Sequence, residues 1–270
     1  MRDFTLKSYR NLLIAFKQAG YEFVTFEEYC AGVGVGMEWV VVMRHDVDEL
    51  AGNALKMSLV EKELEIRATY FFRIYKQSNN PNIIRAIRDN GHEIGYHYED
   101  LSTSDGDYDK AIESFKSNLE YFRRYYPVKS ICMHGSSSSK YDNRSLWNKY
   151  DYKEFGVIGE PYLSIDFNKL YYITDTGYAW DGGKYAVRDV VNNKFGLTYH
   201  SSQEIISAVK KGEFPKQLMM LAHTLWTDSY FQWLGLHLRE FFRNNVKLMA
   251  KNNALLSKIY SEFVKWYWNK

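Results

Sequence analysis

The amino-acid sequence predicts an α/β protein in which helices alternate with the strands of a largely parallel sheet. Short, nearly continuous apolar runs recur along the chain, and such runs are typical of strands buried on both faces. Between them lie longer stretches with apolar residues at helical spacing, which indicates repeated βαβ units. Because no Gly-, Ser- or Pro-rich linker interrupts this alternation, we expect a single domain over residues 1–270.

The individual elements follow from local signals. Thr5 is suited to cap a first helix, and Gly20 ends that helix. The first buried strand is the apolar run at 38–43. Further strands are predicted at 68–72, 92–97, 129–134, 170–173 and 217–223, and the intervening helices at 52–65, 81–89, 107–125 and 202–211.

The C-terminal segment, about 229–270, is predicted to be a mostly helical extension of a motif-bearing core at about 38–228. An apolar stripe at helical spacing should form one buried face, and we expect the segment to pack on its own domain rather than on a partner subunit. The stripe consists of Leu234, Leu238, Phe241, Phe242 and Val246, and an aromatic end follows at 263–268.

The charge balance argues against a nucleic-acid binder. Lys and Arg number 35 and Asp and Glu 33, a formal net charge of +2 without a basic run. The N-terminus lacks an apolar signal segment, and no run approaches the ~20 apolar residues of a membrane span. Cys30 and Cys132 have no CxxC spacing, so free thiols are expected. The prediction is a soluble, cytoplasmic protein.

Acidic and histidine side chains fall at the ends of the predicted strands. Since the carboxyl ends of parallel strands meet at one edge, these residues should converge. Packing needs alone do not explain this placement on separate strands. The residues are Asp46 and Asp48, His97, His134 and His223.

The sequence Arg44-His45-Asp46-Val47-Asp48 carries the central pair. Because side chains alternate along a strand, the two aspartates share a face with Arg44 below them. Adjacent carboxylates repel unless a cation separates them or one is protonated. A metal ion together with Arg44 would remove the repulsion between these two carboxylates. An isolated Asp pair would fit a helix cap equally well; the strand-end histidines favour the metal site.

The motifs resemble those of the polysaccharide deacetylases, the NodB-homology or carbohydrate esterase family 4 group. Within that family the chain resembles the deacetylase-like proteins of bacterial surface-polysaccharide gene clusters. The resemblance implies a distorted (β/α) barrel, related to the TIM barrel, of about seven strands. The matching stretches are 43–48, 91–97, 133–147, 172–182 and 221–224.

The family resemblance implies a metal held by Asp48 and His97, with Asp46 as general base and His223 as general acid. The metal is expected to be divalent, with zinc first and cobalt, nickel or manganese as alternatives. Substrate contacts are assigned to residues in or beside the motifs. They are Arg44, which should also orient Asp46, and Glu99, Asp175, Trp180 and Trp226.

One position departs from the family pattern. The second metal histidine should lie four residues after the first, but the sequence has Leu101 there. His134 is the preferred replacement because it ends an adjacent strand; Glu99, Asp100 and water are the alternatives. The third motif also lacks its usual Arg and Pro.

The predicted function is metal-dependent hydrolysis of the N-acetyl group of a sugar in bacterial surface-polysaccharide biosynthesis. One alternative is hydrolysis of another non-peptide C–N bond on the same scaffold. A second is a non-catalytic carbohydrate-binding relative. Retention of Asp46, Asp48, His97 and His223 favours an enzyme, because a binding module needs neither a base nor an acid.

Overall fold

The computed structural model describes residues 2–34, 36–135, 139–180, 184–186, 188, 190–192 and 194–251. Within them, the strands form one seven-stranded sheet, in which every pairing is parallel. The strands are β1 (Glu22–Val24), β2 (Val40–Val47), β3 (Thr69–Phe72), β4 (Glu93–Tyr98), β5 (Ile131–Met133), β6 (Tyr171–Thr174) and β7 (Gln217–Leu221).

Helices connect these strands, as the alternating pattern predicts. They are α1 (Leu6–Gln18), α2 (Phe26–Cys30), α3 (Ala51–Glu63), α4 (Pro81–Asp89), α5 (Asp100–Thr103), α6 (Tyr108–Arg123), α7 (Pro161–Ser164), α8 (Ser202–Lys210) and α9 (Tyr230–Lys251). Two 3₁₀ helices, Asn143–Asn148 and Tyr152–Phe155, lie between β5 and α7.

The strand order is β5-β4-β3-β2-β7-β6, with β1 added to β2. β1 pairs with the start of β2 at Val40, whereas β3 pairs with its later part from Arg44 onward. In the described part of the chain no ladder joins β5 to β6, so the curled sheet is an open half-barrel. The predicted α/β class and strand number are confirmed.

Local capping explains where several helices begin. Thr5 caps α1 through a reciprocal capping box with Ser8, as its position predicts. Asn80 caps α4, and Pro81 follows at the first helical position, where its missing N–H costs nothing. Ile84 and Ile87 of α4 are then fully buried against the sheet side of the core.

The sequence patterns missed β1, α2, α5 and α7. Each has only three to five residues, which is too short for a period to show. β2 also runs past the predicted end at 43, so that Arg44 and Asp46 lie inside the strand. A strand that is buried throughout is expected to be apolar throughout, so the polar residues after 43 concealed the last part of β2.

The predicted buried face of α9 is wrong. The side chains of Leu238, Phe241 and Phe242 are 52%, 62% and 63% exposed, whereas Glu240 and Asn244 are buried. Polar contacts dock the helix through the opposite face, including a 2.7 Å hydrogen bond from the Asn244 amide to the Gly177 carbonyl and an ion pair between Arg239 and Glu49. The predicted aromatic end at 263–268 lies outside the described residues.

Cys30 and Cys132 are free thiols, in agreement with the sequence prediction. None of the helices in the described ranges is long and apolar enough to cross a membrane.

Candidate active site

The strand-end residues converge at one edge of the sheet. Asp48 directly follows β2, His97 lies near the end of β4, and His134 directly follows β5. Each offers one ligand atom, and the three atoms lie within 4.8 Å of one another. The structure therefore brings together the three residues that the sequence assigns to the metal.

The Asp48 carboxylate is the centre of this group. Its Oδ1 lies 3.3 Å from Nε2 of His97 and 3.5 Å from Nε2 of His134, and among the described residues this buried atom has no hydrogen-bond partner. Although desolvation disfavours the charged carboxylate, His134 and His97 hold the pKa of Asp48 well below its ordinary value. An ionised oxygen without a partner is suited to a cation.

The remote ring nitrogens fix how each histidine faces Asp48. Nδ1 of His97 lies 2.9 Å from the carbonyl oxygen of Cys132, and Nδ1 of His134 lies 3.1 Å from Oε2 of Glu99. Both partners are acceptors, so we assign the ring proton of each histidine to Nδ1. The unprotonated Nε2 of each ring then faces the site. Two imidazole nitrogens and one carboxylate oxygen form a donor set that fits zinc or a similar divalent ion.

Glu99 orients His134 and is itself held by Arg73. The guanidinium donates from Nε to Oε1 at 2.6 Å and from a terminal nitrogen to Oε2 at 3.0 Å. Burial opposes ionisation of Glu99, but Arg73 and His134 lower its pKa to about 2. Because both oxygens are occupied, the structure does not support the assignment of Glu99 to substrate or as the third ligand. Arg73 was missed, although it directly follows β3 at the same edge.

Asp100 and Leu101 face away from the site. The Asp100 carboxylate accepts hydrogen bonds from Tyr96, Ser114 and Asn118. Burial raises its pKa to about 6 despite these bonds. Leu101 is 1% exposed and belongs to the main hydrophobic core. Neither position is placed to supply the missing ligand.

Asp46 presents one free oxygen beside the metal group. Arg44 donates a hydrogen bond to Oδ2 at 3.0 Å and a second to the Tyr162 hydroxyl at 2.8 Å. Nε2 of His97 lies 3.8 Å from the same Oδ2, whereas Oδ1 is buried without a hydrogen-bond partner in the described part of the chain. The predicted contact between Arg44 and Asp46 is present. Arg44 is fully buried, which contradicts its assignment as a substrate contact.

His223 follows β7 and is paired with Asp175. Nδ1 lies 2.7 Å from Asp175 Oδ1, which also accepts the His223 backbone N–H at 2.9 Å. Desolvation alone would lower the pKa of His223, but Asp175 and the nearby Asp48 and Asp46 raise it to about 10. The ring is therefore an imidazolium at neutral pH. Its Nδ1 is engaged, which leaves Nε2 as the position that can donate to a substrate.

The aromatic residues assigned to a substrate wall lie in the core instead. Trp180 and Trp226 are 1% and 0% exposed, and their indole nitrogens donate to Ser202 and to Oδ2 of Asp175, respectively. Asp175 is also buried. The substrate assignments of Asp175, Trp180 and Trp226 are therefore corrected, because all three side chains are buried. Asp175 holds His223 directly, and Trp226 holds Asp175.

Two loops of the site are joined directly. The Thr224 hydroxyl donates to the Glu49 carbonyl at 2.6 Å, and the Asn53 amide donates to the Thr224 carbonyl at 3.2 Å. The loop that carries Asp48 is thus fixed to the loop that carries His223. Residues 136–138 and 181–183, which complete two of the sequence motifs, lie outside the described residues.

No family model matches the chain, and no curated protein matches it. Among solved structures it is similar to the Streptococcus pyogenes deacetylase PplD in complex with acetate, at 14% identity and a TM-score of 0.41 over 55% of this chain and 70% of that one. A family 4 carbohydrate esterase from Bacillus anthracis gives 14% identity and 0.43 over 86% and 85%. A CE4 family pseudoenzyme from Bacillus anthracis gives 12% and 0.43 over 77% and 62%.

Proposed function

We propose that the chain is a metal-dependent deacetylase that hydrolyses the N-acetyl group of a saccharide. The observation that carries this proposal is the grouping at one sheet edge of a free carboxylate oxygen, a histidine-aspartate donor set and a protonated histidine. Amide hydrolysis needs all three functions, since water must be deprotonated, the carbonyl polarised and the departing nitrogen protonated.

Asp48, His97 and His134 would hold the metal. The donor set and the partnerless Oδ1 of Asp48 fit a divalent cation, with zinc preferred and cobalt, nickel or manganese as alternatives. When bound, such an ion acts as a Lewis acid toward the amide carbonyl and lowers the pKa of water.

Asp46 would be the general base. Arg44 occupies Oδ2 and fixes the carboxylate plane, so Oδ1 is the atom that accepts a proton from the attacking water. The new C–O bond then forms at the acetyl carbon, and the C–N bond breaks as the amine departs.

His223 would be the general acid. Its imidazolium donates a proton from Nε2 to the departing nitrogen, while Asp175 keeps Nδ1 engaged and the ring in one orientation. The products are acetate and a free amino sugar, so the atoms and the transferred protons balance between Asp46 and His223.

The substrate class rests on the motif resemblance, which also suggests a role in bacterial surface-polysaccharide biosynthesis. In this proposal the whole chain works as one domain in the cytoplasm on an N-acetylated sugar or saccharide intermediate. The buried aromatic residues supply no stacking platform, so substrate contacts would come from the rim around Asp48, which is 30% exposed at its side chain.

The test is acetate release from N-acetylglucosamine oligosaccharides by protein loaded with zinc or cobalt. Asp46→Asn should reduce turnover by about 10²- to 10⁴-fold while metal content stays at the wild-type level. Glu93→Gln is the matched control. Glu93 is also a buried carboxylate on this sheet, but within the described residues it accepts hydrogen bonds only from Thr69, Ser130 and the Glu27 backbone N–H.

The other functions give different results. A metal-loaded protein that binds the oligosaccharide but releases no acetate would support the carbohydrate-binding alternative. Hydrolysis of other non-peptide amides without acetate release would support the alternative that the chain hydrolyses a different C–N bond. A wild-type protein that holds no metal at all would overturn the assignment of Asp48, His97 and His134.

A further inference from the structure

A second polar cluster lies beneath the site, around the fully buried Glu61 of α3. Its Oε1 lies 2.6 Å from Nε2 of His45 and also accepts the Tyr9 hydroxyl, while Oε2 accepts the Tyr70 hydroxyl at 2.6 Å. His45 stands between Arg44 and Asp46 in β2, so its side chain points to the opposite face of the sheet from theirs. The proposed reaction does not use this cluster.

Hydrogen bonds assign a neutral state to the neighbouring His92. Its Nδ1 accepts the backbone N–H of Ala68 at 3.2 Å, so that nitrogen carries no proton, and Nε2 donates to the Ser58 carbonyl at 3.1 Å. Burial lowers the pKa of His92 in agreement with this state. His92 therefore supplies no charge to balance Glu61.

His45 has acceptors on both sides of its ring. Nδ1 lies 2.8 Å from the carbonyl oxygen of Ala222, which can only accept, and Nε2 faces the Glu61 carboxylate. Glu61 itself receives hydroxyl donors on both oxygens, as an ionised carboxylate would. Both ring nitrogens of His45 thus donate, and the pair is a buried imidazolium and carboxylate.

The Ala222 carbonyl connects this ion pair to the acid. The C=O of Ala222 and the N–H of His223 belong to one planar peptide unit. Nδ1 of His45 lies 2.8 Å from the Ala222 carbonyl oxygen of this unit, and Asp175 Oδ1 accepts the His223 N–H of the same unit at 2.9 Å. The unit is fixed at both ends, and a cationic donor on the carbonyl strengthens the hydrogen bond that the N–H gives to Asp175.

We propose that His45 and Glu61 are positioning residues for the general acid, acting through the Ala222–His223 peptide unit. The inference rests on the proposed function for its kinetic consequence, but the hydrogen bonds can be measured without catalysis. Neither residue touches the substrate. Their effect is to hold Asp175 and His223 in register, so that Nε2 of His223 faces the departing nitrogen.

Two substitutions of His45 separate this role from a general structural one. The amide nitrogen of Asn occupies nearly the place of Nδ1 and can still donate to Ala222, whereas that of Gln occupies the place of Nε2 and reaches Glu61 instead. His45→Gln should lower kcat about tenfold, with KM and metal content unchanged. His45→Asn should retain kcat within about threefold of the wild type.

A measurement independent of turnover follows the His223 backbone amide. In His45→Gln its proton resonance should move upfield and its hydrogen exchange should accelerate. In His45→Asn, which keeps a neutral donor to the Ala222 carbonyl, both changes should be smaller, and in the control Glu93→Gln neither should occur. Equal behaviour of the two His45 variants, in kinetics and in exchange, would overturn the proposal.

The wild-type protein provides a test even if neither variant folds. At neutral pH the ¹⁵N resonances of His45 should show both ring nitrogens protonated, with a through-bond coupling from Nδ1 to the Ala222 carbonyl carbon. A neutral His45 ring would contradict the inference. Failure of the wild type to release acetate would instead contradict the proposed function and leave these measurements intact.

Discussion

Nδ1 of His134 lies 3.1 Å from Oε2 of Glu99, and this hydrogen bond turns the other ring nitrogen of His134 toward Asp48. The second histidine of the donor set thus comes from the strand beside β4. In the motif that the sequence resembles it would come from the helical turn after β4, where Leu101 stands. A carboxylate that orients a metal histidine is a recurrent arrangement in metal sites.

Removal of His134 should abolish tight metal binding. His134→Ala leaves Asp48 and His97 as the remaining donors. Loss of a residue that only orients a ligand lowers metal affinity by up to about 100-fold, so we expect the loss of a ligand itself to lower zinc affinity by more than that. Isothermal titration of the metal-free protein measures this. Asp100→Asn is the matched control, since Asp100 is bonded toward α6, and an equal loss in both variants would contradict the assignment.

Replacement of the orienting carboxylate should have a smaller effect. In Glu99→Gln the neutral amide loses its charge interaction with His134, and we expect zinc affinity to fall by about 10- to 100-fold. Competition with a chromophoric chelator measures the change. An affinity lost as completely as in His134→Ala would mean that Glu99 is a ligand, contrary to its pairing with Arg73.

Restoring the family residue should not restore the site. Leu101 is packed in the core, so Leu101→His in the His134→Ala background places an imidazole away from Asp48 and zinc affinity stays low. Burying that ring without a partner should also reduce the free energy of unfolding by about 1–3 kcal/mol. Urea denaturation and metal titration test both points, and recovery of tight binding would refute them.

Protonation of His223 should link stability to pH. Its pKa rises from 6.5 to about 10 on folding, so the native state retains a proton that the unfolded chain releases. This contribution is complete below pH 6.5 and is lost as the pH rises through about 10. Each pKa unit corresponds to about 1.4 kcal/mol.

In Asp175→Asn, the free energy of unfolding that is lost between pH 6 and pH 10 should be smaller than in the wild type by at least about 1 kcal/mol. The reason is that Asp175 is the principal group that raises the pKa of His223. Urea unfolding of the metal-free protein at pH 6 and pH 10 measures the difference. A variant whose stability falls as steeply as that of the wild type would show that His223 does not retain its proton through Asp175.

The strand ends could be read from the sequence because burial and chain direction impose a strong pattern. Asp46, Asp48, His97, His134 and His223 all follow apolar runs in parallel strands, and the structure gathers them at one edge. Pairwise roles could not be read in the same way. The contacts of Glu99 and Asp175 depend on side-chain directions in loops. The periodicity of the sequence carries no information about these directions.

The apolar stripe of α9 shows the opposite limit of pattern reading. Amphipathic spacing indicates that one face differs from the other but does not say which face meets the domain. Here Arg239 and Asn244 supply polar docking contacts, to Glu49 and to the Gly177 carbonyl, respectively. Their polar character concealed this role, just as the charged residues of β2 concealed the last part of that strand.

The neighbours of β2 have a consequence for biosynthesis. β7, the last strand of the described sheet to be synthesised, inserts directly beside β2, one of the first. Until β7 emerges from the ribosome, the side of β2 that it covers is an unpaired edge, which favours wrong association. The proposed metal ligands Asp48, His97 and His134 all precede β7 in the chain, whereas the proposed acid His223 follows it. If the proposed mechanism holds, a nascent chain would be able to bind metal before it contains the acid that hydrolysis needs.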